Sequence, residues 1–231
     1  MKTIAIIPSA GVGKRYGAEI PKQYTELAGM PVIIRTLQNF EKCDEIDGII
    51  LSINNDWRGF LEKAFKKWGI TKVIEIVKGG PERQNSIFNA FKTDTFKSAE
   101  IVLVHDAVRP FASVELLKSV VAAAREFGAA IPALTPKETT KQVDRNNMVV
   151  RTYERKFLKS VQTPQGFRKD MLLKSYEKVA QKNFIGTDDA SVVEFAGFPV
   201  KIIDGIEENI KLTTPLDKEF AEFLLSKNVE I

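Results

Sequence analysis

A glycine-rich stretch, Ser9-Ala10-Gly11-Val12-Gly13-Lys14-Arg15-Tyr16-Gly17, follows directly on the first apolar run of the chain. Glycines there let the backbone approach a ligand closely and turn N–H groups toward phosphate oxygens. Two familiar phosphate loops are excluded. A dinucleotide fingerprint needs Gly where Tyr16 stands, and a Walker loop needs a hydroxyl residue at Arg15 and a Gly at Pro8. What remains is a loop with two cations, Lys14 and Arg15, followed at once by Pro21-Lys22-Gln23. Three positive charges thus gather near a phosphate cradle. A tight turn with surface lysines explains this stretch, taken alone, equally well.

Three further groups carry chemistry. His105-Asp106-Ala107-Val108-Arg109-Pro110 closes an apolar run. An Asp at the carboxyl end of a buried strand is placed to hold a divalent cation, and an Arg three residues on to meet a phosphate. The plainer reading, a helix cap beside a surface Arg, is weaker, because an apolar strand ending in Asp beside the glycine-loop strand suits a metal–nucleotide site. His105 reads as structural. Gly79-Gly80-Pro81-Glu82-Arg83-Gln84-Asn85-Ser86 also ends a strand-like run, and its glycines suit close contact with a nucleobase. The alternative is a Gly-Gly loop with Ser86 opening a helix. Near the C-terminus come Gln162-Thr163-Pro164-Gln165, Thr187-Asp188-Asp189 and Asn209-Ile210-Lys211-Leu212-Thr213-Thr214-Pro215-Leu216-Asp217. Thr187-Asp188 and Thr214-Pro215 read as helix starts. Lys211 has no structural reason to be Lys.

Bulk properties narrow the classes. The chain has 231 residues with a net charge of +4 and a pI of about 9.0. It lacks the basic stripe of a nucleic-acid binder, so no nucleic-acid partner is expected. Cys43 is the only cysteine, which excludes an internal disulfide and suits a reducing compartment. His105 is the only histidine, which excludes His-rich metal sites and multi-His acid–base machinery. The N-terminal apolar run is too short for a signal segment, and no stretch reaches the roughly 20 apolar residues of a membrane span. A cytoplasmic protein without membrane contact is expected.

Elements of regular type must position these residues. Thr3–Pro8, Gly48–Ile53, Lys72–Val77, Glu100–His105 and Ala129–Leu134 are short and apolar, as buried parallel strands are. Amphipathic segments lie between them: Val32–Glu41, Trp57–Trp68, Gln84–Phe91 and Val114–Phe127. Strand–helix alternation implies βαβ units and right-handed crossovers. The alternation stops after Leu134. Thr135–Lys159 is polar, charged and β-branched around the turn-prone Asp144-Arg145-Asn146-Asn147, and reads as an extended two-stranded arm. Helices near Lys169–Gln181 and Asp188–Phe195, a strand Val200–Ile203 and a helix from about Pro215 complete the chain. There is no internal repeat or low-complexity segment. One domain over 1–231 is expected, with 135–159 as a protruding dimerisation arm.

The ordered set PSAGVGKR, PKQY, GGPERQNS, HDAVRP, QTPQGF, TDD and NIKLTTPLD resembles the 2-C-methyl-D-erythritol 4-phosphate cytidylyltransferases of the non-mevalonate isoprenoid route, from Ile7 to Asp217. The resemblance implies a Rossmann-like α/β nucleotidyltransferase, a mostly parallel twisted sheet flanked by helices with a protruding β-arm, working as a homodimer. It implies CTP as co-substrate, Mg²⁺ or a similar cation held partly by Asp106, and a polyol phosphate as acceptor. On the nucleotide side it implies Ala10, Gly11, Gly13, Gly80, Ser86, Asp106 and Ala107. Arg15, Lys22, Arg155 and Lys211 are the implied catalytic cations. On the acceptor side stand Asp106, Arg109, Thr163, Thr187 and Lys211, with Arg155 and its partner Thr139 supplied by the arm. The chain departs from the family pattern at Ser9, usually a small apolar residue. Pro81 removes a common backbone donor, and Glu138 and Glu154 replace arm aspartates, which loosens the alignment of Thr139. Two rivals stand beside this reading: a ribitol 5-phosphate cytidylyltransferase of wall-polymer synthesis, and a catalytically silent nucleotide-binding module. The Pro8-Ser9-Ala10-Gly11 loop and Lys22-Gln23-Tyr24 favour the methylerythritol enzyme over the first. The full set of site cations argues against the second.

Overall fold

A computed structural model describes residues 2–11 and 20–227. In chain order its strands are β1 (Thr3–Pro8), β2 (Glu26–Leu27), β3 (Met30–Pro31), β4 (Gly48–Ile53), β5 (Val73–Lys78), β6 (Ile101–Val104), β7 (Ala129–Leu134), β8 (Lys141–Val143), β9 (Val149–Thr152), β10 (Ser160–Val161), β11 (Gln165–Arg168) and β12 (Lys201–Asp204). The helices are α1 (Val32–Lys42), α2 (Arg58–Trp68), α3 (Arg83–Ala90), α4 (Asp94–Lys97), α5 (Val114–Phe127), α6 (Lys169–Lys182), α7 (Asp189–Phe195) and α8 (Pro215–Ser226).

The main sheet runs β10-β7-β11-β6-β1-β4-β5, with β12 paired to β7. β1 lies between β4 and β6, parallel to both. The chain first winds outward through β4 and β5, then returns to the other side of β1 at β6. That reversal opens a crevice at the carboxyl ends of β1, β4 and β6, the usual ligand position in open α/β sheets. Alternation of side chains along β1 feeds two cores. Ala5 and Ile7 pack with α1, α2 and α5, while Ile4 and Ile6 pack with α3, α6 and α7. A smaller third core joins Val108, Phe111 and Leu212 to α8.

Two features of the sheet differ from the sequence reading. β11 enters antiparallel between β6 and β7, and β10 pairs antiparallel with the far end of β7. β11 is short and contains Gly166, so its sequence carries little strand signal. The glycine has a packing cause. A Cβ there would stand 2.7 Å from Val120 Cγ1, because α5 lies close upon the strand.

Residues 135–159 contain no buried side chain. β8 and β9 pair only with each other, as a separate two-stranded sheet. The connecting turn is built by Asp144, whose Oδ1 accepts from the backbone N–H of Asn146 and Met148, with Asn147 in the left-handed region at φ 62°. Met148, Val149, Val150 and Phe157 are exposed by 66%, 57%, 62% and 76%, large apolar side chains left open to solvent.

Candidate active site

The floor of the crevice is the end of β6. Asp106 N–H donates to Thr163 Oγ1 at 3.1 Å. Thr163 Oγ1 also lies 3.0 Å from His105 Nδ1, and His105 Nε2 lies 3.0 Å from the Arg109 carbonyl. These contacts are jointly satisfied one way. The Thr163 hydroxyl donates to Nδ1, and the Nε2 proton goes to the carbonyl. Burial lowers the His105 pKa to about 4, against the opposing pull of the Arg109 carbonyl and Asp106. The ring is therefore neutral and structural, as its sequence context suggests. Asn209 closes the network from the other side, donating to the Thr163 carbonyl at 2.8 Å.

Two clefts meet over this floor. The larger, about 570 Å³, is lined by Ala10, Gly11, Lys22, Gly80, Ser86, Asp106, Ala107 and Lys211 among others. The smaller, about 200 Å³, is lined by Asp106, Arg109, Thr163, Thr187 and Lys211 among others. Arg83, Asp106 and Lys211 line both. The fold thus brings together most of the residues singled out from the sequence. Thr139 and Arg155 are not among them. They sit on the exposed arm, where Arg155 Nη1 donates to the Lys137 carbonyl of its own chain. Gly13 and Arg15 lie outside the described residues.

The walls of the larger cleft are tied by backbone-directed contacts. Gln23 Nε2 donates to the carbonyls of Ser9 and Gly11, both at 2.8 Å, and so clamps the entry of the glycine loop. Tyr24 OH donates to the Ser9 carbonyl at 3.1 Å, and the Ser9 hydroxyl reaches Tyr24 OH at 3.4 Å. The unusual Ser9 thus has a local partner. Across the cleft, a Cβ on Gly79 would lie 2.1 Å from Ala10 Cβ, so the close approach of the two loops requires the glycine. Ser86 does not open α3. Glu82 caps that helix in a reciprocal box with Asn85. Ser86 Oγ instead accepts from Gly80 N–H at 3.0 Å and donates to the Glu82 carbonyl at 3.2 Å, which fixes the glycine turn.

Charge concentrates where the clefts join. Asp106 Oδ1 faces Arg83 Nε at 3.3 Å, and Oδ2 faces Lys211 Nζ at 2.7 Å and Arg109 Nε at 3.8 Å. Burial alone would raise the Asp106 pKa. Arg83, then Lys211 and Arg109, outweigh burial and hold it well below the usual carboxylate range. Arg109 Nη1 donates to the Asn209 carbonyl at 2.7 Å, while its Nε is a buried N–H with no hydrogen-bond acceptor. Arg83 also reaches Asp189 Oδ2 at 2.7 Å through Nη1. Asp189 is fully buried and accepts from Tyr176 OH at 2.6 Å. Burial would lower the Arg83 pKa, but Asp189 and Asp106 together raise it above its ordinary value.

Arg83, Asp189, Gln23, Gln165 and Asn209 received no site role from the sequence. Gln165 Nε2 donates to Asp188 Oδ2 at 2.7 Å, and its Oε1 accepts from Ala190 N–H at 3.0 Å, which bolts the start of α7 to β11. The signal for Arg83 was its place in the Gly-Gly loop. Asp189, adjacent to a helix cap, gave none.

A mostly parallel sheet with a glycine loop on its first strand, and a cation-ringed carboxylate between two clefts at its carboxyl edge, defines a Rossmann-like nucleotidyltransferase. The family model for 2-C-methyl-D-erythritol 4-phosphate cytidylyltransferase matches residues 3–227. The enzyme of that name from Geobacillus thermodenitrificans is 44% identical over 225 residues, 97% of each chain. That from Bacillus mycoides is 43% identical over 220 residues, 95% of this chain and 96% of the other. Among solved structures, the 4-diphosphocytidyl-2C-methyl-D-erythritol synthase of Anaerococcus prevotii superposes with a TM-score of 0.84 at 35% identity, over 97% of this chain and 98% of its own. The Francisella tularensis cytidylyltransferase gives 0.80 at 32% identity, over 96% and 99%. The chain belongs to the 2-C-methyl-D-erythritol 4-phosphate cytidylyltransferase family.

Proposed function

We infer that the chain transfers the cytidylyl group of CTP to the phosphate of 2-C-methyl-D-erythritol 4-phosphate, in isoprenoid precursor biosynthesis. The observation that carries this is the pair of clefts sharing Asp106 and Lys211, within a chain of this family. CTP takes the larger cleft and the acceptor the smaller. An acceptor phosphate oxygen attacks the α-phosphorus, the new P–O bond forms, and the bond to pyrophosphate breaks. The nucleophile is already ionised at neutral pH, so no general base is required. His105, neutral with both ring nitrogens engaged, is not poised to serve as one.

What the protein supplies is position and charge. Lys22 lines the larger cleft and is assigned to the triphosphate; Arg15, outside the described residues, keeps the same assignment from the family resemblance. Lys211 reaches either phosphate from its place between the clefts. The buried Arg109 Nε, which has no acceptor, suits an anion in the smaller cleft. Thr163 and Thr187 border the same cleft. Ala10, Gly11, Gly80, Ser86 and Ala107 shape the nucleotide side, and Gly13, outside the described residues, keeps the nucleotide-side role that the family resemblance implies. Ribitol 5-phosphate is a less favoured acceptor, because the close relatives are named for the methylerythritol substrate. Turnover of CTP with each polyol phosphate, followed by pyrophosphate release, tests this. Absence of turnover, or a preference for ribitol 5-phosphate, would reject it.

A divalent cation fits the donor set. No group of three or more His, Cys, Asp or Glu is gathered among the described residues, so a protein-only cage is excluded there. Asp106 is the carboxylate that lines both clefts, and its Oδ2, paired here with Lys211, would hold Mg²⁺ once that ammonium turns to a phosphate; Mg²⁺ tolerates a single protein carboxylate. When bound, the cation would neutralise phosphate charge. Excess chelator should abolish activity, and undiminished turnover would remove the metal from the scheme.

On this reading 1–231 is one cytidylyltransferase domain, cytoplasmic, and 135–159 is the arm of a homodimer. No helix among the described residues is long and apolar enough to cross a membrane. An isolated hairpin is marginal in water, and the exposed apolar side chains of the arm suit a covering surface. The arm carries seven Lys and Arg against three Asp and Glu, which favours an anionic target. A two-fold exchange would put Thr139 and Arg155 at the partner's acceptor cleft.

A further inference from the structure

The three cations around Asp106 are held in different ways. Lys211 has a flexible four-carbon stem, and its side chain is 40% exposed. A phosphate entering either cleft competes with Asp106 for its ammonium group. Arg109 Nε is 3.8 Å away, too far for a hydrogen bond. Arg83 lines both clefts too, but it is anchored from behind. Its Nη1 meets Asp189, which is fully buried and also fixed by the Tyr176 hydroxyl. The planar guanidinium spans two carboxylates at once: Nε hydrogen-bonds Asp106 Oδ1 at 3.3 Å, while Nη1 holds Asp189 Oδ2 as an ion pair without an aligned hydrogen bond. A lysine, with one nitrogen, cannot span both.

We propose that Arg83, anchored on the buried Asp189–Tyr176 pair, is a positioning residue that keeps Asp106 oriented between the two clefts when Lys211 leaves it for a substrate phosphate. The proposal rests on the reading of the two clefts as nucleotide and acceptor sites.

The test is a double-mutant cycle with Arg83→Lys and Asp189→Asn, reading kcat, both KM values, CTP affinity by calorimetry and melting temperature. Arg83→Lys should lower kcat by roughly thirtyfold and Asp189→Asn by about tenfold, with CTP affinity changed by less than about threefold. The double variant should be no worse than Arg83→Lys alone within about twofold, because Asp189 acts through Arg83. Multiplicative losses would overturn the proposal. So would an Asp189→Asn enzyme that melts earlier yet keeps kcat within about twofold of wild type, since a merely structural role predicts that result. If Asp189→Asn does not fold, Tyr176→Phe replaces it, with a smaller kcat loss and the same non-additivity required. Wild-type turnover with CTP and the methylerythritol acceptor separates the levels. An inactive wild type defeats the functional reading and this inference together, whereas additive losses in an active enzyme defeat only the inference.

Discussion

At the floor of the crevice His105, Asp106 and Thr163 are buried, and each is hydrogen-bonded within the chain. On residues 135–159 no side chain is buried, and Arg155 donates to the Lys137 carbonyl beside it. The floor is prebuilt by the sheet and has its geometry before any substrate arrives. The arm's large apolar side chains stand exposed, and its cations make only exposed contacts among the described residues, such as Lys137 with Glu207. Preorganised charge belongs to the first region, and in the proposed dimer the contribution of the second is completed by the partner.

The contrast is sharpest at Lys22, on the prebuilt side. Lys22→Ala should lower kcat by ~10² or more, the range of a lost transition-state donor. Steady-state kinetics decide the point. A higher KM for CTP at unchanged kcat would make Lys22 a binding residue only.

The arm gives the next largest effect. Arg155→Ala should reduce kcat/KM for the acceptor by roughly 10² while leaving CTP affinity nearly unchanged. Mixing inactive Arg155→Ala and Lys22→Ala subunits should then restore activity. A mixed dimer with trans action has one doubly damaged and one intact site, so random exchange returns about a quarter of wild-type sites. Continued inactivity after verified exchange would make the arm a clamp or a local flap and dissolve the contrast.

Thr163→Val probes the floor itself. The isosteric change removes the acceptor for Asp106 N–H and the donor to His105 Nδ1. It should cost about 1–3 kcal/mol of stability through unsatisfied buried groups and lower kcat by about tenfold. Denaturant melts and kinetics measured together check this. An unperturbed variant would show that the floor does not depend on the network.

The last effect concerns pH and leaves activity at neutral pH untouched. The His105 pKa is lowered by burial to about 4, against about 6.5 in an unfolded chain. Between these values the unfolded state binds a proton that the folded state does not. Stability from this group is therefore complete above pH ~6.5 and declines by roughly 2–3 kcal/mol as pH falls toward 4. His105→Gln should flatten that part of the melting-temperature profile, and because His105 is the only histidine, the difference between the two curves isolates it. Parallel curves would mean the ring is not buried in its neutral form.

Much of this molecule was legible in one dimension. β1, β4, β7 and α5 have the bounds their apolar periodicity predicts, because buried strands and amphipathic helices are short-range patterns. Thr214 caps α8 with Pro215 at its start for the same local reason. The glycine loops and Asp106 were marked by residue type and by position at strand ends. What the sequence could not determine depends on distant segments meeting. β11 takes its strand form from β6 and β7 on either side, not from its own four residues. Arg83 and Asp189 lie far apart in the chain and meet at 2.7 Å only because α3 and α7 pack on one face of the sheet. Thr163, Asn209 and His105 likewise become one network only after three separate loops converge. Propensity and capping act over a few residues. Ion pairs in a buried floor are decided by which elements the tertiary fold sets side by side.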